Sequence, residues 1–293
     1  YTGKVEDHTL TGDLYCVGGF DPRFNIDDMN AFVESIRRMG VDTIRGSIVA
    51  DRSMKDADLL GEGWCWDDDN PPLSPLTIGR NTQFVDRFIR QLVDDGVVLD
   101  VRISDGTLPD SAFHLCSRFH SIDQILLRMM KQSDNFYAEA MFYQLAAHQG
   151  HRPARAKDAA AIVKRLISKV GLGHRPYRIA DGSGLSLYNY LSADLEVRLL
   201  RYAYRNSTVY LHLLPSLPVA GSDGTLRNRM RGSFAADNVK AKTGTLEGVS
   251  ALAGYCTAAN DHRLCFSIIN QGVMHTSNAR RFQDRVCNAL CAP

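Results

Sequence analysis

The chain has 293 residues, enough for one large or two modest domains with a real hydrophobic core. Its composition, 44% hydrophobic and 23% charged, excludes a disordered or fibrous polypeptide. A formal net charge of +1 gives no support for a nucleic-acid partner or an anionic membrane surface, and the apolar runs are too short and interrupted to span a bilayer.

In chain order, Thr11–Val17 alternates toward a short strand that ends at Gly18-Gly19. Ile26–Met39 predicts a helix, with Ile26, Met29, Phe32, Val33, Ile36 and Met39 on one stripe, Asn25 or Asp27 as its cap and Gly40 as its stop. Thr43–Ala50 predicts a strand, Trp64–Pro75 an acidic, Pro-containing loop, Thr82–Asp95 a second amphipathic helix and Val97–Ile103 a returning strand. From about Ser104 the pattern changes. Helices are expected over Ser121–Met130, Asp134–His148, Arg155–Val170 and Ser192–Tyr204. Strands follow at Val239–Thr243, Val249–Thr257 and Leu264–Asn270, the last two joined through Ala259-Asn260-Asp261, and Ser277–Leu290 closes as a helix. Helices followed by an antiparallel run and a terminal helix describe an α+β domain.

Seven cysteines, Cys16, Cys65, Cys116, Cys256, Cys265, Cys287 and Cys291, make an odd set with no C-x-x-C spacing, which supports neither a zinc nor a redox site. Cys256 and Cys265 flank a predicted turn, where spacing alone allows a disulfide without establishing one. His148-x-x-His151 lacks the glutamate of a zinc helix, and Gly171-x-Gly173 follows no strand, so metal and nucleotide binding are unsupported. Trp64 and Trp66 fit either an aromatic platform or packing. Asp110, Ser111 and His114 read as a loop entering a helix rather than a triad.

Two short motifs carry chemistry. Lys242-Thr243-Gly244 ends an apolar-flanked strand, which presents a cation, a hydroxyl and a position where a substrate backbone can approach closely. Ser133-Asp134-Asn135 lies between two helices, where a hydroxyl and an amide can project together. Each alone is weak, since Lys-Thr-Gly is a common turn tripeptide and Ser-Asp-Asn most often caps a helix. In this order they are two of the three signatures of serine penicillin-recognising enzymes. The wider blocks Lys131–Glu139, Ala180–Ser186, Leu217–Leu226 and Val239–Val249 resemble class C low-molecular-mass penicillin-binding proteins, a D-Ala-D-Ala carboxypeptidase/endopeptidase family. Upstream, Leu10–Tyr15, Gly19–Pro22 and Gly63–Asp68 resemble the domain inserted in that family. The resemblance covers nearly the whole chain.

The resemblance implies a β-lactamase/transpeptidase-like catalytic domain, helices on an antiparallel sheet, over residues 103–293, interrupted by a smaller inserted α/β domain over 1–102. It implies attack by a serine on the penultimate D-Ala carbonyl of a peptidoglycan stem peptide, acylation by β-lactam antibiotics, a periplasmic location inferred from that substrate, and no cofactor or metal. Ser133 would relay a proton to the leaving amine and Asn135 would hold the substrate's amide carbonyl. Lys242 would bias the site electrostatically and, with Thr243 and Thr245, bind the terminal carboxylate, while Gly244 admits the substrate backbone. The Thr245 amide would serve the oxyanion hole. By the resemblance Asp68 can face the free amine of the third stem-peptide residue, while a solvated loop carboxylate beside Asp67 and Asp69 is the preferred reading. Asp181, Ser183, Gly184, Asp223 and Gly224 are expected to build turns.

One departure matters for activity. The family carries Ser-x-x-Lys before the inserted domain, and no serine here has lysine three residues on: Ser35 has Arg38 and Ser53 has Asp56. The expectation is a chain recorded without its N-terminal segment, also without a visible signal, and one that a penicillin does not label covalently by itself. The short stretch between Trp64–Asp68 and Ser133 is expected to lack the third domain of longer members. A non-catalytic cell-wall or β-lactam-binding relative is the competing reading; a β-lactamase is disfavoured by the inserted first third.

Overall fold

The computed structural model describes residues 1–65, 68 and 70–293, and its chain divides into two compact units, one of residues 1–120 and 139–159, the other of residues 121–138 and 160–293. The expected boundary near residue 102 falls inside a strand of the first unit.

The first unit is a five-stranded sheet with helices. Strands β1 (Lys4–Glu6), β2 (Thr9–Thr11) and β3 (Leu14–Val17) precede helix α1 (Ile26–Arg38), strand β4 (Thr43–Asp51), helix α2 (Phe84–Asp94) and strand β5 (Val98–Asp105). β4 is central: β5 runs parallel along one edge, while β2 and β3 share the other, also parallel. Thr11 opposite Arg45 and Leu14 opposite Ile48 keep one register across Gly12-Asp13, so the expected strand is real but interrupted. Parallel neighbours require crossovers, which α1 and α2 supply. Asn25 is the cap of α1. Its side chain accepts from the Asp27 amide, and the Asp28 carboxylate accepts in turn from the Asn25 amide, a capping box; Arg37 and Arg38 complement the other end. Met29, Val33 and Ile36 from α1 and Phe84, Phe88 and Leu92 from α2 bury against Ile44 and Ile48 of β4.

Helix α4 (Asn135–His148) is apolar on every side rather than amphipathic, the pattern of a buried helix. From Glu139 onward it belongs to the first unit, where Tyr143 lies 6.0 Å from Phe20 and under the Lys55 ammonium at 4.4 Å, and Gln144 donates to the Gly19 carbonyl.

The second unit is a three-stranded antiparallel sheet, β6 (Lys240–Leu246), β7 (Val249–Thr257) and β8 (Arg263–Gln271), with helices α3 (Ile122–Lys131), α5 (Ala156–Lys169, from Ala160 onward), α6 (Ala193–Arg205), α7 (Ser207–Ser216) and α8 (Thr276–Cys291). Period-two alternation gives the sheet two distinct faces. Ala241, Leu252, Cys256 and Phe266 bury against Cys287 and Cys291 of α8. On the other face, the Tyr255 hydroxyl donates to the Leu200 carbonyl (2.8 Å) and Ser267 to Glu196 (2.6 Å), both on α6. The register opposes Cys265 to Tyr255 and Cys256 to Leu264. Cys256 and Cys265 therefore point to opposite faces, and no disulfide joins them; all seven cysteines are free.

α7 is absent from the sequence expectation. Val209, Tyr210, Leu211, Leu213 and Leu214 crowd together without a 3.6-residue period, and Pro215 reads as a stop. Asn206 both closes α6 and opens α7. α7 packs on α3, with His212 Nδ1 2.5 Å from Asp123 Oδ1. No helix among the described residues is long and apolar enough to cross a membrane.

Gly254 makes the β6–β7 contact sensitive. A Cβ there would lie 2.2 Å from the Lys240 carbonyl oxygen and 2.5 Å from Ala241 Cα, backbone atoms that can yield only by moving β6. Gly254→Ala is expected to destabilise the protein by about 1–3 kcal/mol, the usual range for overpacking. Urea denaturation checks this, and a midpoint at or above that of wild type would contradict the packing described.

Candidate active site

Ser133, Asp134 and Asn135 occupy the junction of two helices. α3 begins with a second capping box, Ser121 with Gln124, and ends at Gln132. Ser133 then turns the chain at φ +56°, the left-handed conformation common just past a helix end but unfavourable for a residue with a side chain. The Asp134 carbonyl accepts the first bond of α4 from Ala138, and the Asp134 carboxylate, almost wholly buried, accepts from Arg128 Nε at 2.8 Å. The Arg128 guanidinium also stacks over the Tyr137 ring at 5.1 Å. Asp134 thus fixes the turn from inside, which leaves the Ser133 side chain outside, exposed, and Asn135 partly so.

Lys242, Thr243 and Gly244 lie on β6, an edge strand. Its first residues are covered: Ala220 donates to the Val239 carbonyl (2.9 Å) and Ala241 to the Pro218 carbonyl (3.0 Å). From Lys242 to Leu246 that outer edge has no strand partner among the described residues. Ala241 donates outward, so by antiparallel alternation the amides of Thr243 and Thr245 point to the open edge. The block Leu217–Leu226 also ties this strand to α3. Lys131 Nζ donates to Asp223 Oδ2 (2.6 Å) and to the Leu217 carbonyl (2.7 Å), while Asp223 Oδ1 accepts from the Val219 amide (2.9 Å). Partial burial opposes ionisation of Asp223, but Lys131 and the Val219 amide hold its carboxyl below the usual range. Gly224 permits the approach, since a Cβ there would meet the Lys131 carbonyl at 2.7 Å.

With both segments held, Lys242 Nζ reaches Ser133 Oγ at 2.6 Å across a sequence separation of 109 residues, and also donates to the Thr243 carbonyl at 2.6 Å. Burial lowers the Lys242 amine from 10.5 to about 8, which brings it within reach of proton transfer near neutral pH. Thr243 and Thr245 point to the other face of β6. Thr243 Oγ1 donates to Thr225 Oγ1 at 2.9 Å, and Thr245 Oγ1 accepts from Arg280 of α8 at 3.4 Å.

Asp68 lies in the first unit, in a turn it closes itself: its carboxylate accepts from the Cys65 amide at 2.7 Å and its amide donates to the Cys65 carbonyl at 3.2 Å. Trp66, Asp67 and Asp69 lie outside the described residues. Asp181 organises a turn by accepting from the amides of Gly184 and Ser186 and from Asn189 Nδ2. Lys131, Thr225 and Arg280 carry no local sequence signal, and only tertiary pairing brings them to Asp223, Thr243 and Thr245.

Two outcomes follow for stability. Since the folded Lys242 titrates near 8 and the unfolded side chain near 10.5, the unfolded state holds more protons between those values and stability rises with pH there. Wild type is therefore expected to gain stability relative to Lys242→Met from about pH 8 to pH 10.5, read from urea midpoints; parallel pH curves would refute the buried amine. Ser133→Gly is expected to hold or raise stability by up to about 1 kcal/mol through relief of the left-handed strain, whereas Ser133→Ala gains nothing; a Ser133→Gly loss beyond about 1 kcal/mol would show the strain is absent.

The chain is similar to several known proteins. The chain is 34% identical over 189 residues to the D-alanyl-D-alanine carboxypeptidase DacB of Haemophilus influenzae, covering 63% of this chain and 38% of that protein. It is 28% identical over 359 residues to a D-alanyl-D-alanine carboxypeptidase of Actinomadura sp., covering 89% of this chain and 66% of the relative. It thus spans less than two thirds of the length of either. Among solved structures, penicillin binding protein 4 from Haemophilus influenzae superposes with a TM-score of 0.89 at 22% identity, covering 99% of this chain and 84% of that one, which establishes a shared fold. A peptidoglycan endopeptidase of Bdellovibrio bacteriovorus gives 0.59 at 15% identity over 95% of this chain and 76% of that one. The model of the D-Ala-D-Ala carboxypeptidase 3 (S13) family matches residues 1–87 and 81–290, and the chain belongs to that family.

Proposed function

We propose that this chain forms the substrate-holding part of a serine-type D-Ala-D-Ala peptidase that acts on peptidoglycan stem peptides through an acyl-enzyme and is acylated by β-lactams. The observation that carries the reading is the 2.6 Å contact between Lys242 Nζ and Ser133 Oγ, which unites two motifs from distant segments of a chain in this family. The names of the relatives support both carboxypeptidase and endopeptidase action, and a relative of the same fold has been solved with a bound β-lactam.

The open edge of β6 accepts the peptide as an added strand, with Gly244 bringing no side chain into its path. The Thr245 amide, aimed outward, stabilises the oxyanion that forms on the attacked D-Ala carbonyl. Asn135 holds the preceding amide carbonyl. The Lys242–Ser133 pair passes a proton to the departing D-Ala amine, a step suited to an amine whose pKa is pushed down to about 8. The hydroxyls of Thr243 and Thr245 receive the terminal carboxylate. Residues 1–293 contain no Ser-x-x-Lys, so the attacking hydroxyl and its lysine base are assigned to no residue here. The domain inserted before residue 103 and a periplasmic workplace belong to the same proposal, the latter because cell-wall stem peptides are found there.

The test is acylation of the protein encoded by the complete gene with a fluorescent penicillin. The expected result is covalent labelling, blocked by unlabelled penicillin and slowed by about 100-fold or more in Ser133→Ala and Lys242→Ala, the scale of a lost proton-transfer group. Wild-type protein that takes no label would instead favour the non-catalytic binding reading. Labelling indifferent to both variants would remove Ser133 and Lys242 from the mechanism.

A further inference from the structure

The row Thr245–Ser250–Asn270 crosses the three strands of the second sheet on the face that packs against α8. Gln283 of α8, fully buried, donates to the Ser250 carbonyl (3.1 Å), to Ser250 Oγ (3.2 Å) and to Asn270 Oδ1 (3.0 Å). Arg229 grips the next residue, Asp284, at 2.6 Å and donates to the Arg280 carbonyl at 3.3 Å. These bonds fix both the slide and the rotation of α8. Arg280 lies three residues before Gln283 and so shares its helix face, one turn along. From there its Nη2 donates to Thr245 Oγ1 at 3.4 Å. No carboxylate pairs with Arg280 among the described residues, and its side chain is exposed.

The chemistry of that face is incomplete without Arg280. Thr243 and Thr245 offer hydroxyls but no charge. Lys242 projects from the opposite face of β6, with its ammonium bonded to Ser133 Oγ and the Thr243 carbonyl. Arg229 is neutralised by Asp284. A guanidinium carries five donors in a planar fork that matches a carboxylate, and it remains charged at any pH the protein meets. One of those donors meets Thr245, and the remainder are open to a ligand.

We propose that Arg280 is a specificity-determining residue that binds the free C-terminal carboxylate of the D-Ala-D-Ala peptide, with Thr243 and Thr245 as its neutral partners. This rests on the functional reading above. It assigns recognition of the anion to α8, outside the Ser-Asp-Asn and Lys-Thr-Gly motifs.

The experiment uses the complete gene product and two peptides, N,N′-diacetyl-L-Lys-D-Ala-D-Ala and the same peptide with its C-terminus amidated. Release of D-Ala or D-alaninamide gives kcat/KM for wild type, Arg280→Gln and Arg280→Lys, and penicillin acylation is followed in parallel. Wild type is expected to favour the acid by at least about 10-fold, the scale of a charge-assisted hydrogen bond. Arg280→Gln should lower kcat/KM for the acid by about 10- to 100-fold, mainly through KM, and change the amide by less than about 3-fold. Arg280→Lys should fall between, as a point charge without the fork. A merely structural role would lower both substrates alike, and that outcome, or an unchanged acid preference in Arg280→Gln, overturns the inference. Penicillin acylation with no Arg280-dependent acid preference defeats the inference alone. Absence of both acylation and D-Ala release defeats the functional reading and the inference with it.

Discussion

Successive side chains of a β-strand point to opposite faces, and on β6 that alternation divides the chemistry of the site. Lys242 falls on the face shared with Tyr255 and Ser267 and turns to Ser133; Thr243 and Thr245 fall on the face packed by α8. A one-residue slip of β6 against β7 would exchange the two sets. In the proposed reading the register is therefore functional as well as structural. Leu252 and Ala241 buried against α8 hold it, and so does Gly254, whose missing Cβ lets Lys240 and Ala241 close on β7.

A correct register alone does not bring Ser133 to Lys242, since the two come from different elements. The Leu217–Leu226 segment makes that connection. Its backbone pairs with the start of β6, and its Asp223 receives the ammonium of Lys131, two residues before Ser133. The pair is partly buried and reinforced by a backbone amide on the same carboxylate, which raises its worth above that of an exposed surface pair. Asp134 performs the matching service inside the helix junction, where Arg128 fixes the turn that displays Ser133 in a left-handed conformation. Strain of this kind persists only where neighbours over-determine the backbone, and here two ion pairs do so.

Much of this was legible in the sequence. α1, α2 and the sheet of the second unit follow from period and caps: the stripe from Met29 to Ile36, Asn25 ahead of it, and alternating apolar residues around Lys242. The two motifs were visible because their residues are contiguous. What escaped detection has non-local causes. α7 lacks a 3.6-residue stripe and contains Pro215, and only packing on α3 makes it a helix. β1 is three residues long and has meaning only beside β2. A disulfide between Cys256 and Cys265 was open on spacing, but one residue of register sends the thiols to opposite faces. Arg280 looks like any surface arginine of an amphipathic helix until Gln283 and Arg229 are seen to lock α8 against the sheet.

In the proposed reading, the depressed basicity of Lys242 makes a second cation useful. A group that passes protons near neutral pH works best with a pKa near that pH, and burial brings Lys242 to about 8. The same burial weakens it as a permanent anchor for an anion, because each proton it gives up removes the charge the anion needs. A guanidinium faces no such conflict, since it neither titrates in this range nor serves as a base. Alternation along β6 keeps the two demands apart in space, with the titratable amine toward Ser133 on one face and the fixed charge of Arg280 beside Thr245 on the other. Had both fallen on one face, the arginine would have lowered the lysine pKa further by like-charge repulsion and drawn the proposed carboxylate ligand toward the proposed Lys242–Ser133 proton relay.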